Sequence, residues 1–227
     1  MIKWEELPPF MQVDEVKDYY DIISCHKVSL LLKRIFDVIA AGILLAVLSP
    51  LLLIISILIK LDSRGPVMFR QVRVTSYGRH FKIFKFRTMV QDADKKGTQV
   101  TTKGDARVTK VGHVLRKYRL DELPQLLNVL LGDMSFVGTR PEVVKYVEHY
   151  SNEMLATLLM PAGITSLTSI VYKDEEKLLE SVDDADKTYI EQILPEKMKY
   201  NLMALKEFSF VQDIKTMFRT VSAVINS

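Results

Sequence analysis

Residues 38–59 read VIAAGILLAVLSPLLLIISILI. It contains no charged side chain. A helix of this length, rising about 1.5 Å per residue, can just cross a hydrocarbon core of roughly 30 Å. More than 30 polar and mixed residues precede it, whereas a cleaved signal peptide would begin near the N-terminus. We therefore predict a membrane segment.

The middle of this segment carries Ser49-Pro50. Proline removes one helical hydrogen bond, and the serine hydroxyl can pair with the carbonyl that is freed. Either a kinked spanning helix or a re-entrant helix broken at Ser49-Pro50 fits this pattern. Lys and Arg are enriched on the cytoplasmic side of membrane segments, and here they flank both ends of the segment. This favours the re-entrant form, in which both ends lie on that side. The flanking cations are Lys33 and Arg34 before the segment and Lys60, Arg64, Arg70 and Arg73 after it.

The charge of the chain is unevenly distributed. Residues 60–119 hold 16 Lys and Arg against 4 Asp and Glu, a net charge of +12 in a chain whose total is +3. Such a region binds an anionic partner, and nucleic acid, anionic lipid and a diphosphate ligand each fit. The single cysteine, Cys25, excludes an internal disulfide, and the four histidines lack metal-ligand spacing.

A β-hairpin is predicted directly after the membrane segment. VMFRQVRV (67–74) and HFKIFKFRTM (80–89) are rich in β-branched and aromatic residues and flank a turn at Tyr77-Gly78. Lys85 and Arg87 are two residues apart and therefore share one face of the second strand. Taken alone, that face is best interpreted as a solvated edge.

A helix is predicted after the hairpin, in DARVTKVGHVLRKYR (105–119). Arg116 lies near its C-terminal end, where cations complement the helix dipole. His113 lies beside the apolar stripe and is interpreted as a packed or surface residue. The stripe comprises Val108, Val111, Val114, Leu115 and Tyr118.

An acidic pair, Asp121 and Glu122, then separates the basic region from an apolar run. Asp121 has the position of an N-cap for a helix through PQLLNVLL (124–131), which Gly132 ends. Capping is a sufficient explanation for Asp121 alone.

The rest of the chain contains two more predicted helices. Thr139 and Glu142 have the spacing of a capping box that opens a helix through 143–150. The acid-rich DEEKLLESVDDADK (174–187) is predicted to be polar surface without chemistry. FSFVQDIKTMFRTVSAVI (208–225) predicts an amphipathic helix that is equally consistent with a membrane-interface position or a core position. Its apolar stripe comprises Phe210, Val211, Ile214, Met217, Phe218 and Val221.

In combination, these features indicate a membrane-surface site for a charged phosphate compound. A carboxylate at a helix N-terminus near arginines has its ionised form favoured, which suits a nucleophile or a metal ligand at neutral pH. Phosphoryl transfer requires charge neutralisation of this kind, from Lys, Arg and Mg²⁺.

Several long motifs occur in order along the chain. They are LLKRIFDVIAAG (31–42), the central Ser-Pro, FKIFKFRTM (81–89), LRKYRLDELPQLLNVLLGDMSFVGTRPE (115–142) and PAGIT (161–165). With these motifs the sequence resembles the bacterial sugar transferases known as monotopic phosphoglycosyl transferases. The resemblance runs from about residue 32 to 165 and more weakly into DIKTMFRT (213–220), and it leaves residues 1–30 outside.

The resemblance implies an enzyme on the cytoplasmic face of the bacterial inner membrane. It would move a phosphosugar from a UDP-sugar to polyprenol (undecaprenyl) phosphate, release UMP and start glycan assembly. Asp121 would be the nucleophile that forms a covalent phosphosugar intermediate and a ligand of Mg²⁺, with Glu122 as its partner. The implied substrate-binding residues are Lys85 and Arg116 for phosphate, Arg140 and Pro141 for the nucleotide, and Arg87.

The predicted fold class is α+β and mostly helical, with a re-entrant membrane helix and a small cytoplasmic domain. We divide it into an N-terminal extension (1–30), the membrane helix (31–62) and the catalytic domain (63–227) with a C-terminal amphipathic helix. Two alternatives stay open: glycosyl transfer that releases a nucleoside diphosphate, and a non-catalytic membrane-tethered module that binds anionic lipid or nucleic acid. The resemblance implies no nucleic-acid partner, and a homo-oligomer is possible.

Overall fold

The protein is α+β and mostly helical, as predicted. The structure, a computed structural model, describes residues 1–91, 93, 105–172 and 184–225. The helices are α1 (Asp14–Cys25), α2 (Lys27–Asp62), α3 (Lys110–Lys117), α4 (Gln125–Leu131), α5 (Val144–Val147), α6 (Leu167–Val171), α7 (Ala185–Thr188), α8 (Leu194–Lys206) and α9 (Phe210–Ile225). The strands are β1 (Met68–Val74), β2 (His80–Phe86), β3 (Met134–Val137) and β4 (Ala162–Thr165). Most of the acid-rich stretch at 174–187 lies outside the described residues.

Helix α2 is continuous and begins before the predicted boundary at residue 31. Pro50 lies inside it and lacks the N–H that would bond to the carbonyl of Ala46. The Ser49 hydroxyl donates to that carbonyl at 2.8 Å, as predicted. Because the freed carbonyl is satisfied, the helix continues, and the predicted break into a hairpin at Ser49-Pro50 is not confirmed.

One face of α2 contacts the rest of the protein along the whole helix, and the other faces are exposed. Only 11% of its most apolar stretch is buried, whereas the core helix of a soluble protein would be mostly buried. Among the described residues, α2 is the one helix long and apolar enough to cross a membrane. Its exposed apolar surface indicates membrane association. The buried residues of the contact face are Lys33, Asp37, Ala41, Ile55 and Ile59.

The two sheets are small. Strands β1 and β2 form the predicted antiparallel hairpin, with Gln71 opposite Ile83 and a left-handed Tyr77 in the turn. Strands β3 and β4 pair in parallel, although 24 residues separate them. A Cβ on Gly163 of β4 would lie 2.2 Å from the backbone nitrogen of Gly138, so this close approach requires glycine.

The N-terminal segment is part of the core. Met11, Val16 and Ile23 are completely buried, and they pack with Leu158 and Leu159 in the cluster that also receives side chains from α8. The predicted extension of residues 1–30 is therefore a structural element of the domain, because its apolar side chains complete a hydrophobic core.

Helix α9 packs through its polar side. Asp213 forms a buried ion pair of 2.6 Å with Lys33 of α2, and Thr220 lies 2.6 Å from the Thr165 hydroxyl. Burial raises the pKa of Asp213, and the Lys33 charge opposes that shift. Part of the apolar stripe faces outward, because Val211, Phe218 and Val221 are exposed, whereas Phe210 packs against Phe36 of α2. Of the two predicted positions for this helix, the membrane interface therefore fits and the core does not.

Candidate active site

The acidic pair lies in a tight turn between α3 and α4. Leu120–Glu122 form a single 3₁₀ turn, and Arg119 before it adopts a left-handed conformation with φ of 56°. A non-glycine residue in that region is strained, and such strain is typical of functional sites. Helix α4 ends at the left-handed Gly132, as predicted.

Both predicted helix caps are wrong. Asp121 caps no helix: its side chain makes no capping hydrogen bond, and the residue before α4 is Pro124. The predicted capping box of Thr139 and Glu142 is also absent, because α5 starts later and Glu142 turns into the core. The carboxylates of Asp121 and Glu142 are therefore available for interactions away from the local backbone.

Glu122 is held by two cations. Its Oε1 accepts from Lys85 Nζ at 2.8 Å and from Arg140 Nη2 at 2.7 Å, and only 12% of its side chain is exposed. Burial alone would raise its pKa, but Arg140 and Lys85 hold the pKa of Glu122 well below its usual range. Glu122 is therefore ionised, and it fixes both cations beside the acidic pair.

Asp121 has a different environment. It is half-buried, and in the described part of the chain no hydrogen bond reaches its carboxylate. Burial raises its pKa, the Glu122 charge raises it further, and Lys85, Arg116 and Arg119 oppose the shift. The prediction that the ionised form is favoured is therefore wrong in direction, because desolvation outweighs the nearby cations. The carboxylate is therefore more basic than usual.

Lys85 and Arg116 belong to this site. The Lys85 side chain is only 18% exposed, so the interpretation as a solvated strand edge is wrong. Burial lowers the pKa of Lys85, and the Glu122 charge opposes that shift. Arg116 donates from Nε to the Thr88 hydroxyl at 3.0 Å, and its charge acts on Asp121.

The segment that carries Arg140 is fixed from two sides. Arg73 donates to the Pro141 carbonyl at 3.1 Å, which ties the segment to β1. On the other side, the Glu142 carboxylate accepts from the Tyr189 hydroxyl at 2.6 Å, with Lys197 Nζ at 3.5 Å. The contacts of Arg73, Tyr189 and Lys197 could not be predicted from the sequence, since these residues come from positions far apart in the chain.

Arg87, which was predicted to bind substrate, and His113, which was not, both lie outside this cluster. Arg87 is buried, but it donates to the carbonyl and hydroxyl of Ser63 and does not contact the acidic pair. His113 is exposed on α3, in agreement with the prediction of a packed or surface residue. On α3 itself, Leu115 is buried as predicted, whereas Val114 and Tyr118 of the predicted stripe are exposed.

Comparison with known proteins gives the family. A family model described as "Bacterial sugar transferase" matches residues 28–227. The chain belongs to the bacterial sugar transferase family.

Curated relatives agree with this assignment. An Aeromonas hydrophila protein named UDP-N-acetylgalactosamine-undecaprenyl-phosphate N-acetylgalactosaminephosphotransferase is 40% identical over 198 residues, which cover 86% of this chain and 44% of that protein. Two proteins named UDP-glucose:undecaprenyl-phosphate glucose-1-phosphate transferase also match. The Klebsiella pneumoniae protein is 39% identical, with 86% and 40% covered, and the Caulobacter vibrioides protein is 36% identical, with 86% and 70% covered. The chain therefore spans less than half the length of the Aeromonas and Klebsiella proteins and 70% of the Caulobacter protein.

The surroundings of the acidic pair bear on the predicted Mg²⁺ site. Among the described residues, no group of three or more His, Cys, Asp and Glu side chains could hold a metal ion. Mg²⁺ is commonly bound by one or two carboxylates together with substrate phosphates. The Asp121 carboxylate, which has no hydrogen-bond partner in the described residues, fits that requirement.

Proposed function

We propose that the chain transfers a phosphosugar from a UDP-sugar to undecaprenyl phosphate, releases UMP and thereby initiates the assembly of a membrane-bound glycan. The observation that carries this proposal is the contrast within the acidic pair. Glu122 is neutralised by two cations, whereas Asp121 beside it is unbonded in the described residues and more basic than usual. One carboxylate thus organises the site, and the other is free to act as a nucleophile.

In the first step, an Asp121 carboxylate oxygen forms a bond to the phosphorus that carries the sugar. The bond between that phosphorus and the oxygen shared with UMP breaks, and UMP leaves with the electron pair. Lys85 and Arg116 offset the negative charge that accumulates around the phosphorus. Arg140 and Pro141 contribute to nucleotide binding, on a segment that Arg73 and Glu142 hold in place.

In the second step, a phosphate oxygen of the acceptor attacks the same phosphorus and the Asp121 carboxylate leaves. The acceptor attacks as the dianion, so the step requires no proton transfer. The Glu122 side chain keeps Lys85 and Arg140 beside the reacting groups in both steps. Asp121 would hold Mg²⁺ together with the donor phosphates, and the ion would supply further charge neutralisation there.

We place the protein on the cytoplasmic face of the inner membrane, with both ends of α2 on that face and its exposed apolar side chains towards the bilayer. The contacts at both ends of α2 support this arrangement. Lys33 bonds to Asp213 and to the Val137 carbonyl, and at the other end Asp62 accepts from the backbone of Val111 at 3.0 Å. A helix held against one domain at both ends cannot place those ends on opposite sides of a bilayer.

Phe218→Asp should weaken the association of α9 with the bilayer. Phe218 is 73% exposed, and burial of a phenylalanine side chain in an apolar environment is worth roughly 2 kcal/mol. We expect a higher KM for undecaprenyl phosphate in nanodiscs, with UMP release in the absence of acceptor unchanged. Phe218→Leu, which keeps an apolar side chain, should behave like the wild type. Equal KM values for the aspartate and leucine variants would contradict the interfacial position of α9.

Lys197→Met should slow the reaction, because Lys197 helps to hold the segment that carries Arg140. Lys197 is only 5% exposed and lies beside Glu142, which follows the nucleotide-binding segment. Small misplacement of a positioning group costs up to roughly 100-fold in rate, so we expect a loss of about 10- to 100-fold in kcat/KM for the UDP-sugar. Lys199→Met, on the exposed side of the same helix, is the control. A Lys197→Met variant with wild-type kcat/KM would contradict a positioning role for Lys197.

The proposed reaction is tested by the nucleotide that is released. Purified protein in nanodiscs would receive Mg²⁺, undecaprenyl phosphate and a panel of UDP-sugars, with UMP and UDP assayed separately. We expect UMP with at least one donor, and sustained release only with the lipid acceptor. UDP as the product would indicate ordinary glycosyl transfer. Release of neither nucleotide, with salt-sensitive binding to anionic vesicles or nucleic acid, would favour the non-catalytic alternative.

A further inference from the structure

Arg87 carries a buried charge without a counter-ion in the described part of the chain. Its side chain is 6% exposed. Nη2 donates to the Ser63 carbonyl at 2.7 Å and to the Ser63 hydroxyl at 2.9 Å, whereas Nε and Nη1 have no hydrogen-bond partner among the described residues. The charge of Asp62 acts on Arg87 without forming an ion pair among the described residues, and Oδ2 of Asp62 is already bonded to the Val111 backbone. A buried guanidinium whose hydrogen bonds go only to neutral groups is unfavourable, and an anion would satisfy its remaining N–H groups.

This guanidinium lies where the membrane helix ends. Ser63 directly follows α2, and Lys60 in the last turn donates to the Gly65 carbonyl at 2.9 Å. Gly65 has a φ of 123°, and a Cβ there would lie 2.0 Å from Nη1 of Arg87. Gly65 therefore lies directly against the guanidinium, and Ser63 bonds to it through both its carbonyl and its hydroxyl. Only this short loop separates the unpaired N–H groups from the end of the membrane helix.

Arg87 is also close to the acidic pair. It follows Lys85 by two residues, a distance of about 7 Å along an extended chain, and Lys85 bonds to Glu122. The residue after Arg87 is Thr88, which accepts from Arg116. Arg87 therefore lies beside the cations that surround Asp121, on the side towards the end of α2.

We propose that Arg87, together with the Ser63 hydroxyl, binds the phosphate of the polyprenol acceptor and has no role in binding the UDP-sugar. This inference rests on the proposed function. The acceptor is held in the bilayer by its hydrocarbon chain, so its phosphate reaches the protein at the membrane surface, where α2 ends. Residues 63–65 shift to admit it, and the glycine at 65 permits that change of backbone. Arg87 then offsets the charge of the acceptor phosphate as its oxygen bonds to the phosphorus and Asp121 leaves.

Binding of the acceptor phosphate by Arg87 should affect the second half-reaction, transfer to the acceptor, and not the first, release of UMP. Arg87→Met, Arg87→Lys and Ser63→Ala would be compared in two assays: the burst of UMP without acceptor, and turnover with undecaprenyl phosphate. We expect an unchanged burst in all three variants. Turnover should fall by about 10- to 100-fold in Arg87→Met, which removes a charged hydrogen-bond donor, and by less in Arg87→Lys and Ser63→Ala. Arg70→Met, at an exposed arginine on β1, is the control.

An equal loss in both half-reactions would overturn the proposal, because Arg87 would then act on the donor or on the fold. Wild-type turnover in Arg87→Met would overturn it as well. If Arg87→Met does not fold, Arg87→Lys and Ser63→Ala decide by the same comparison. The absence of any burst from the wild-type protein would contradict the proposed covalent reaction itself, which is a different result from a burst that the variants retain or lose.

Discussion

Asp121→Asn should abolish transfer while the protein stays folded. The variant keeps the shape of the side chain and removes the nucleophile, and loss of a nucleophile lowers turnover by a factor of about 10⁴ or more. Burial raises the pKa of Asp121, so at neutral pH the ionised carboxylate is less favourable in the folded protein than in the unfolded chain. Asparagine removes that cost, and the midpoint of thermal unfolding should therefore be equal to or higher than that of the wild type.

The control for this variant is Asp21→Asn, at an exposed aspartate on α1 that pairs with Lys17. It should leave UMP release unchanged. Near wild-type turnover in Asp121→Asn would contradict the nucleophile assignment. A lower unfolding midpoint would mean that Asp121 stabilises the fold through interactions that the described contacts do not contain.

Lys85→Met should reduce the rate and also change its dependence on pH. Removal of a positioned cation from a phosphoryl-transfer site costs roughly 100- to 1,000-fold. Lys85 lowers the pKa of Asp121, so its removal raises that pKa, and a higher pH is then needed to ionise the nucleophile. We expect the acidic limb of the pH profile of the UMP burst to move to higher pH.

The matched control is Lys82→Met, because Lys82 lies on the same strand with its side chain exposed. Its pH profile should coincide with that of the wild type. If the acidic limb of Lys85→Met stayed at the wild-type position while the rate fell, Lys85 would act on the substrate phosphate alone and not on the ionisation of Asp121.

The local parts of the fold could be predicted from the sequence. The apolar run gave α2, the alternating aromatic and β-branched residues gave the hairpin, and Gly132 ended α4. In each case neighbouring residues decide the conformation, through periodicity or through a backbone angle that only certain residues favour.

The parts that depend on residues distant in sequence could not be predicted. Lys33 and Asp213 are 180 residues apart and still form a buried ion pair. The caps assigned to Asp121 and Glu142 failed for the same reason, since tertiary contacts and burial outweigh local capping preferences. The direction of the pKa shift of Asp121 also required the structure, because it depends on how much water the fold excludes.

The distribution of polar and apolar side chains on α2 and α9 fits a lipid environment. Helices α2 and α9 both present apolar side chains outward, while their polar residues, among them Lys33 and Asp213, face each other inside the protein. This inversion of the usual pattern is expected where apolar surface meets lipid and not water.

The covalent attachment of the phosphosugar to Asp121 can be detected by intact-protein mass spectrometry. The wild-type protein would be incubated with a UDP-sugar that supports UMP release, without acceptor. We expect the mass to increase by one phosphosugar, and the modification to lie on the peptide that contains Asp121. It should be absent from Asp121→Asn, and addition of undecaprenyl phosphate should remove it. An unmodified protein that releases UMP only when the acceptor is present would contradict this attachment, because the acceptor would then attack the donor directly.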